Sequence, residues 1–364
     1  MMRRQVVLGG AAFGVVSPLG VACSSSAPEQ EAALSLRRPI TTDGADRGAL
    51  MRELVRYAAL APSSHNTQCW TFHVRDRSIE IAPDLTRRCP VVDPDDHHLY
   101  VSLGCATENL AQAALAHGLQ ADARLDPNGI GAIAVNLDAT RAVASPLYQA
   151  IARRQCTRGD YDGKPVATDE LRLLERAGSG RGVQVILLTE RTAMERVLDH
   201  VVAGNTAQMN DPAFVAELMA WIRFSADEAV RTGDGLFAGA SGNPVVPRWL
   251  GSRMMGWFFT AESENDRYSR QIRNSAGIAV FVSENSDRAH WVEAGRCYER
   301  FALQATALGI RNAFLNQPVE VASVRPQFAA AFGLGNRRPD LVVRFGRGPA
   351  LPLSMRRPIE SVLV

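Results

Sequence analysis

The stretch Ala61-Pro62-Ser63-Ser64-His65-Asn66-Thr67-Gln68-Cys69-Trp70 concentrates hydroxyl and amide side chains between a helix-like end at Leu60 and a strand-like Thr71-Phe72-His73-Val74. Ser, Asn and Gln offer donors and acceptors that could border a flat ring with a polar fringe. The same residues also suit an Asn/Ser turn that only joins a helix to a strand. Arg153-Arg154-Gln155-Cys156-Thr157-Arg158 offers guanidinium forks, which fit a doubly charged phosphate better than point charges do. Leu315-Asn316-Gln317-Pro318-Val319-Glu320 and the pair Arg356-Arg357 are further candidates, although a lone arginine pair is ordinarily a solvated surface.

Taken in order, these segments resemble the signatures of the nitroreductase-like FMN-binding superfamily: A-P-S-x-x-N-x-Q-P-W at Ala61 to Trp70, R-x-[ST]-x-[RK] at Arg154 to Arg158, P-x-E at Pro318 to Glu320, and terminal arginines at Arg356 and Arg357. The resemblance implies that Ser63, Ser64, Asn66 and Gln68 contact the FMN ring edge and that Pro318 and Glu320 border its reactive N5. It implies that Arg154, Cys156, Arg158, Arg356 and Arg357 hold the phosphate. Cys156 stands where the family has Ser or Thr, and Thr157 could supply that hydroxyl instead.

The arginine element follows the A-P-S segment here, whereas in ordinary nitroreductases it precedes it. That order resembles the Acg-type proteins, in which two tandem repeats form an intramolecular pseudo-dimer. The implied fold is α+β and nitroreductase-like, with a first half over 46–140, a second over 141–358 and one FMN at their junction. A Gly-, Pro- and aromatic-rich segment over 232–266, with Trp249, Trp257, Phe258 and Phe259, is expected to be a long loop lying over the flavin as a lid. The implied activity is reduction of small nitroaromatic or quinone-like electrophiles through N5. The alternative is a catalytically silent protein that sequesters FMN under the lid. No general acid stands out; His65 is the best candidate, and a solvent-facing turn histidine accounts for it equally well.

Composition narrows the field. A formal net charge of +2 with scattered arginines supplies no basic stripe for nucleic acid. Lys164 is the only lysine and lies between Gly163 and Pro165, which excludes a phosphate-loop lysine and disfavours Schiff-base chemistry. The six cysteines contain no C-x-x-C pair, so no metal site is expected and most thiols should be reduced core fillers. Asp93-Pro94-Asp95-Asp96-His97-His98 reads as a helix start, with Asp93 as N-cap and Pro94 at the first helical position, rather than as a ligand set. Gly239-Ala240-Ser241-Gly242 lacks the spacing of a nucleophile elbow.

Apolar spacing predicts helices over Leu50 to Leu60 and Ala289 to Leu308, the latter closed by Gly309. It predicts strands at Thr71 to Val74, Ile79 to Ile81, Ala132 to Leu137, Val183 to Leu188, Gly277 to Val282 and Asp340 to Phe345. Alternating strands and helices indicate a sheet covered by helices.

Residues 1–23 read as a bacterial export signal. Arg3-Arg4 precede an apolar run from Val6 to Val16, too short to span a bilayer, and Leu19-Gly20-Val21-Ala22-Cys23 resembles a lipobox. Residues 24–45 would then be a linker, with Cys23 as a lipid anchor for a monomeric protein in the periplasm or at the membrane. Twin-arginine export carries folded proteins, which suits a chain that acquires FMN before crossing. A variant with Arg3→Lys and Arg4→Lys should remain cytoplasmic in cell fractionation; normal export would indicate an ordinary leader.

Overall fold

A computed structural model describes residues 28–41 and 46–364. The expected export signal, with Arg3, Arg4 and Cys23, lies outside the described residues. Part of the expected linker is helical: α1 (Pro28–Ser35) seats Ala33 among Ala229, Phe237, Leu353 and Met355.

The first half contains α2 (Arg47–Ala58), β1 (Trp70–Val74), β2 (Ser78–Pro83), α3 (His97–Ala116), β3 (Leu119–Leu125) and β4 (Ile133–Ala139). The second opens with α4 (Pro146–Ile151), α5 (Thr168–Gly178) and β5 (Val183–Leu188). A long excursion follows: α6 (Arg191–Met209), α7 (Pro212–Trp221), β6 (Ile222–Arg223), α8 (Ala226–Thr232), β7 (Leu236–Phe237), α9 (Arg248–Phe258) and α10 (Ala261–Arg273). It closes with β8 (Gly277–Ser283), α11 (Arg288–Ala307), β9 (Arg311–Phe314), α12 (Gln317–Glu320), α13 (Arg325–Ala331) and β10 (Pro339–Gly346).

Two antiparallel four-stranded sheets share one topology. The first has the order β1-β2-β4-β3 and the second β5-β8-β10-β9, so replacing each strand by its counterpart converts one order into the other. Their surroundings differ. Along β4, Ile133, Val135 and Leu137 are buried while the alternate residues are exposed, as a half-covered sheet requires. Along β8 every residue is buried: Ala279 and Phe281 face the main core, and Ile278, Val280 and Val282 face a second core built with Val197 and Val201 of α6. A strand covered on both faces reads as a continuous apolar run, which is how β8 appears in the sequence.

The halves meet where α3 crosses α11. A Cβ on Gly104 would lie 2.0 Å from the Val292 carbonyl oxygen, and one on Gly295 would lie 1.9 Å from that of Val101. Each glycine thus receives the backbone of the other helix, three residues before that helix's own glycine. The relation is reciprocal, as at a two-fold axis.

Three expectations need correction. The third helix starts at His97, with Asp96 in the left-handed region (φ 59°) at its cap; Asp93 caps it from upstream, accepting the main-chain N–H groups of His98 and Leu99 at 3.0 and 2.9 Å. Strands β3 and β9 were not foreseen. Residues 232–266 are not an extended loop but β7, α9 and part of α10, in a cover that begins upstream.

Replacing Gly295 by Ala forces a methyl group into a helix backbone. The free energy of unfolding should fall by about 2 kcal/mol or more in chemical denaturation, whereas Gly256→Ala, with nothing within 4 Å of the new methyl, should be nearly neutral.

Candidate functional site

The signature loop begins where α2 runs out of partners for its carbonyl groups. Arg356 supplies them: its guanidinium donates to Ala59, Leu60 and Ala61 carbonyls at 3.1, 2.9 and 3.0 Å, to the Asn66 side-chain oxygen at 2.9 Å and to its own neighbour Met355. Arg154 adds a bond to the Leu60 carbonyl at 2.9 Å and pairs with Glu299 at 3.0 Å. A helix C-terminus is an electronegative end, so two buried guanidinium groups find favourable surroundings there. Beyond it, His65, Asn66 and Gln68 adopt positive φ values of 48°, 56° and 53°. Three strained non-glycine residues in one short loop mark a conformation that the surroundings impose.

Those surroundings include the cover. Asn66 Nδ2 donates to the Gly235 carbonyl at 3.0 Å, and Gln68 Nε2 donates to that of Gly233 at 2.9 Å. Gln68 Oε1 accepts the Arg357 main-chain N–H at 2.8 Å. Between the two glycines, Asp234 is clasped by Arg87 of the first half and by Arg223 of the cover.

Beside this loop lies a cleft of two chambers. The first is walled by Ser63, Ser64 and His65, by His98, Ser102 and Cys105 along one face of α3, by Glu320, and by cover residues such as Phe214 and Leu218. The second is lined by Phe224, Val246, Met254, Met255, Arg267 and Arg344. Arg158, Leu236, Phe259, Glu264, Tyr268 and Phe314 border both.

Of the residues singled out by sequence, Ser63, Ser64, His65, Arg158 and Glu320 therefore face one cleft. Asn66 and Gln68 do not line it; both are buried and bonded as described. Arg154 and Arg356 are buried on the α2 carbonyl groups, and Arg357 reaches the Gln68 and Ser361 carbonyls. Arg356 spends its guanidinium on the carbonyl groups of residues 59–61 and on Asn66, whereas Arg154, paired with Glu299, keeps Nη1 without a partner among the described residues. Cys156 pairs as an isolated bridge with Asn312, and Pro318 is buried beside the cleft. Arg344 was missed in the sequence, where it reads as an ordinary strand residue. It is buried with Nε and Nη1 lacking partners, while Nη2 donates to the Gly159 carbonyl at 2.8 Å and the guanidinium lies 4.2 Å from the Tyr161 ring centroid.

The aromatic load does not close over the cleft as expected. Trp249 and Trp257 are each 67% exposed, and Phe259 supplies the aromatic contact.

Burial, helped by the nearby Arg158 charge, lowers the His65 pKa to about 4, so the ring is neutral near pH 7 and cannot serve there as the acid expected of it. Burial raises Glu320 above the usual carboxyl range. Ligand atoms of His65, Cys89 and Glu217 lie within 4.8 Å of one another, but both Glu217 oxygens already accept main-chain N–H groups, from Val91 and Val92.

No family model matches the sequence. Over 329 residues the chain is 26% identical to the Mycobacterium tuberculosis H37Rv protein named "Putative NAD(P)H nitroreductase Rv3131", covering 86% of this chain and 90% of that protein. It is 22% identical over 340 residues to "Putative NAD(P)H nitroreductase acg" of the same organism, covering 89% and 96%. Among solved structures, a nitroreductase with bound FMN from Desulfitobacterium hafniense superposes with a TM-score of 0.39 at 15% identity, over 61% of this chain and 98% of that one. Similarity over most of both sequences supports placing this α+β chain among the nitroreductase-like proteins.

Replacing Asp234 by Ala leaves the Arg87 and Arg223 guanidinium groups without their shared anion. Hydrogen exchange across residues 233–247 should accelerate, and stability should fall by about 3 kcal/mol.

Proposed function

We propose that the chain is an FMN-dependent oxidoreductase of the nitroreductase-like class, with one flavin in the two-chambered cleft between tandem halves at 46–140 and 141–358. The observation that carries this reading is Arg158. Its half-buried side chain borders both chambers and has no hydrogen-bond or ion-pair partner among the described residues. An unpaired guanidinium at such a position suits an anionic ligand. The orphaned Nε and Nη1 of Arg344 add unmet donor capacity on the same cleft, and Nε2 of His65 adds an unmet hydrogen-bonding nitrogen.

FMN fits these groups. Ser63, Ser64 and His65 would meet polar atoms of the ring in the first chamber, and Arg158 with Arg344 would hold the phosphate end. When bound, the flavin supplies the electron-transfer chemistry, and the chain orients it and excludes water. The names of the curated relatives point the same way. Small nitroaromatic or quinone-like compounds are the proposed acceptors. Export under the twin-arginine leader, with Cys23 as a lipid anchor, is proposed for the same chain.

The cover favours a second reading, a silent FMN holder. Its Gly233 and Gly235 carbonyls are bonded to the signature loop, and Phe259 stands at the junction of the chambers.

Purified protein should show a flavin absorption spectrum, and Arg158→Ala should weaken FMN binding by about tenfold, or about 1.4 kcal/mol. A colourless protein with no affinity for FMN refutes the proposal. Removing residues 243–257 and bridging the gap with a Gly/Ser linker should leave FMN bound and speed turnover of a small quinone. Retained flavin with no turnover in either form would establish the silent holder.

A further inference from the structure

Glu320 ends α12 with its carboxyl group in the wall of the first chamber. Gln208 of α6 donates from Nε2 to its Oε2 at 2.7 Å, and His98 Nδ1 of α3 lies 3.9 Å from its Oε1. The opposite ring nitrogen, His98 Nε2, lies 3.1 Å from the main-chain carbonyl of Asp340. A carbonyl oxygen only accepts, so Nε2 carries hydrogen and, in the neutral ring, Nδ1 presents a lone pair toward Glu320. A lone pair facing a carboxyl oxygen is most favourable when one proton is present. The pair is then either a carboxylic acid beside a neutral imidazole or a carboxylate beside an imidazolium.

The support around His98 holds this orientation. His97 Nε2 contacts Asp340 Oδ1 at 3.0 Å, and the Ser283 hydroxyl donates to Asp340 Oδ2 at 2.7 Å, so the segment bearing the acceptor carbonyl is fixed from two sides. The charged and titratable groups that interact with Glu320 are His98, Asp93 upstream of α3, Arg325 of α13, Cys89 and Tyr268 of α10, while Arg338 acts on Asp340. Burial, the largest influence on Glu320, favours its protonated form.

We propose that His98 and Glu320 together store one proton in the wall of the first chamber and deliver it to an electron acceptor bound there. The proposal rests on the oxidoreductase reading above. A quinone that has gained two electrons and one proton, the hydride equivalent that a bound reduced flavin would supply, is a hydroquinone monoanion short of one proton. As an O–H bond forms on its anionic oxygen, the O–H bond of Glu320 breaks. The resulting carboxylate keeps its bond from Gln208, and a proton from solvent water, taken up at His98 Nδ1, restores the pair. Glu320 is the catalytic residue of the two, and His98 reloads it and stabilises its anion.

Two measurements on the full-length protein test this. Infrared spectroscopy across pH needs no bound flavin: the protonated Glu320 carboxyl should give a C=O band that Glu320→Gln removes and that His98→Asn shifts, because His98 Nδ1 faces it. A band that His98→Asn leaves unmoved overturns the pair. In the second, flavoprotein reduced anaerobically with stoichiometric dithionite is mixed with a small benzoquinone. Glu320→Gln should slow flavin reoxidation about a hundredfold at neutral pH with flavin content unchanged, Glu320→Asp should restore part of the rate, and His98→Asn should flatten its pH profile. Wild-type rates and profile in both Glu320→Gln and His98→Asn also overturn the proposal. A protein that binds no flavin but whose Glu320 carboxyl band moves in His98→Asn refutes the oxidoreductase reading while leaving the proton pair supported.

Discussion

The close approach of α3 and α11 is the contact on which the rest of the molecule is built. Two helices can bring main chain against main chain only where side chains are missing, and here both missing side chains lie at the crossing, at Gly104 and Gly295. The separation fixes how deeply each helix seats on its own sheet, and thereby how the two sheets are disposed. His98, Ser102 and Cys105 on one face of α3 then reach the first chamber, while Tyr298 and Glu299 of α11 remain in the core. A shift of the crossing would move the cleft wall and the core together.

The buried arginines show how strongly local chemistry depends on tertiary setting. Arg154, Arg356 and Arg158 look alike as sequence, each a guanidinium in a short basic run. The first two bond carbonyl groups of residues 59–61 just past α2, an electronegative end, and Arg154 also has the buried Glu299 carboxylate as its counter-charge. The third has no such partner and keeps its capacity for a ligand. What separates an arginine that builds a site from one that serves it is the direction of the preceding helix, which the residues around the arginine do not reveal.

The long elements were legible because their patterns are strong. The apolar run of β8, the alternation of β4 and the twenty-residue α11 closed by Gly309 (φ 71°) each follow from periodicity and a terminating residue. Strand β3 escaped because its inward positions include Ala121 and Ala123, too small to stand out against Gln120, Asp122 and Arg124. The cover escaped for the opposite reason: its glycines, prolines and aromatics suggested irregular chain, yet short helices accommodate them. One signal was present and unread. Val101, Gly104, Glu108 and Gly118 recur as Val292, Gly295, Glu299 and Gly309 at a constant offset of 191 positions. The cleft was legible as far as Ser63, Ser64, His65, Arg158 and Glu320. His98 and Arg344 join it through the crossing and the second sheet, contacts that no local pattern encodes.

The unequal connections of the two sheets bear on the order in which the chain assembles. Strands β1 and β2 are joined by residues 75–77 and can pair as a local hairpin, whereas their counterparts β5 and β8 are separated by residues 189–276. For flexible segments of those lengths, closing the longer one costs about 3 kcal/mol more in chain entropy, at roughly 0.6 kcal/mol per doubling. Local pairing also forms faster. The first sheet is thus placed to act as an early template, leaving the second to close after α6 to α10 have become compact. A nascent chain leaving the ribosome would present its halves in that same order, and the last surface to mature would be the one that receives the ligand.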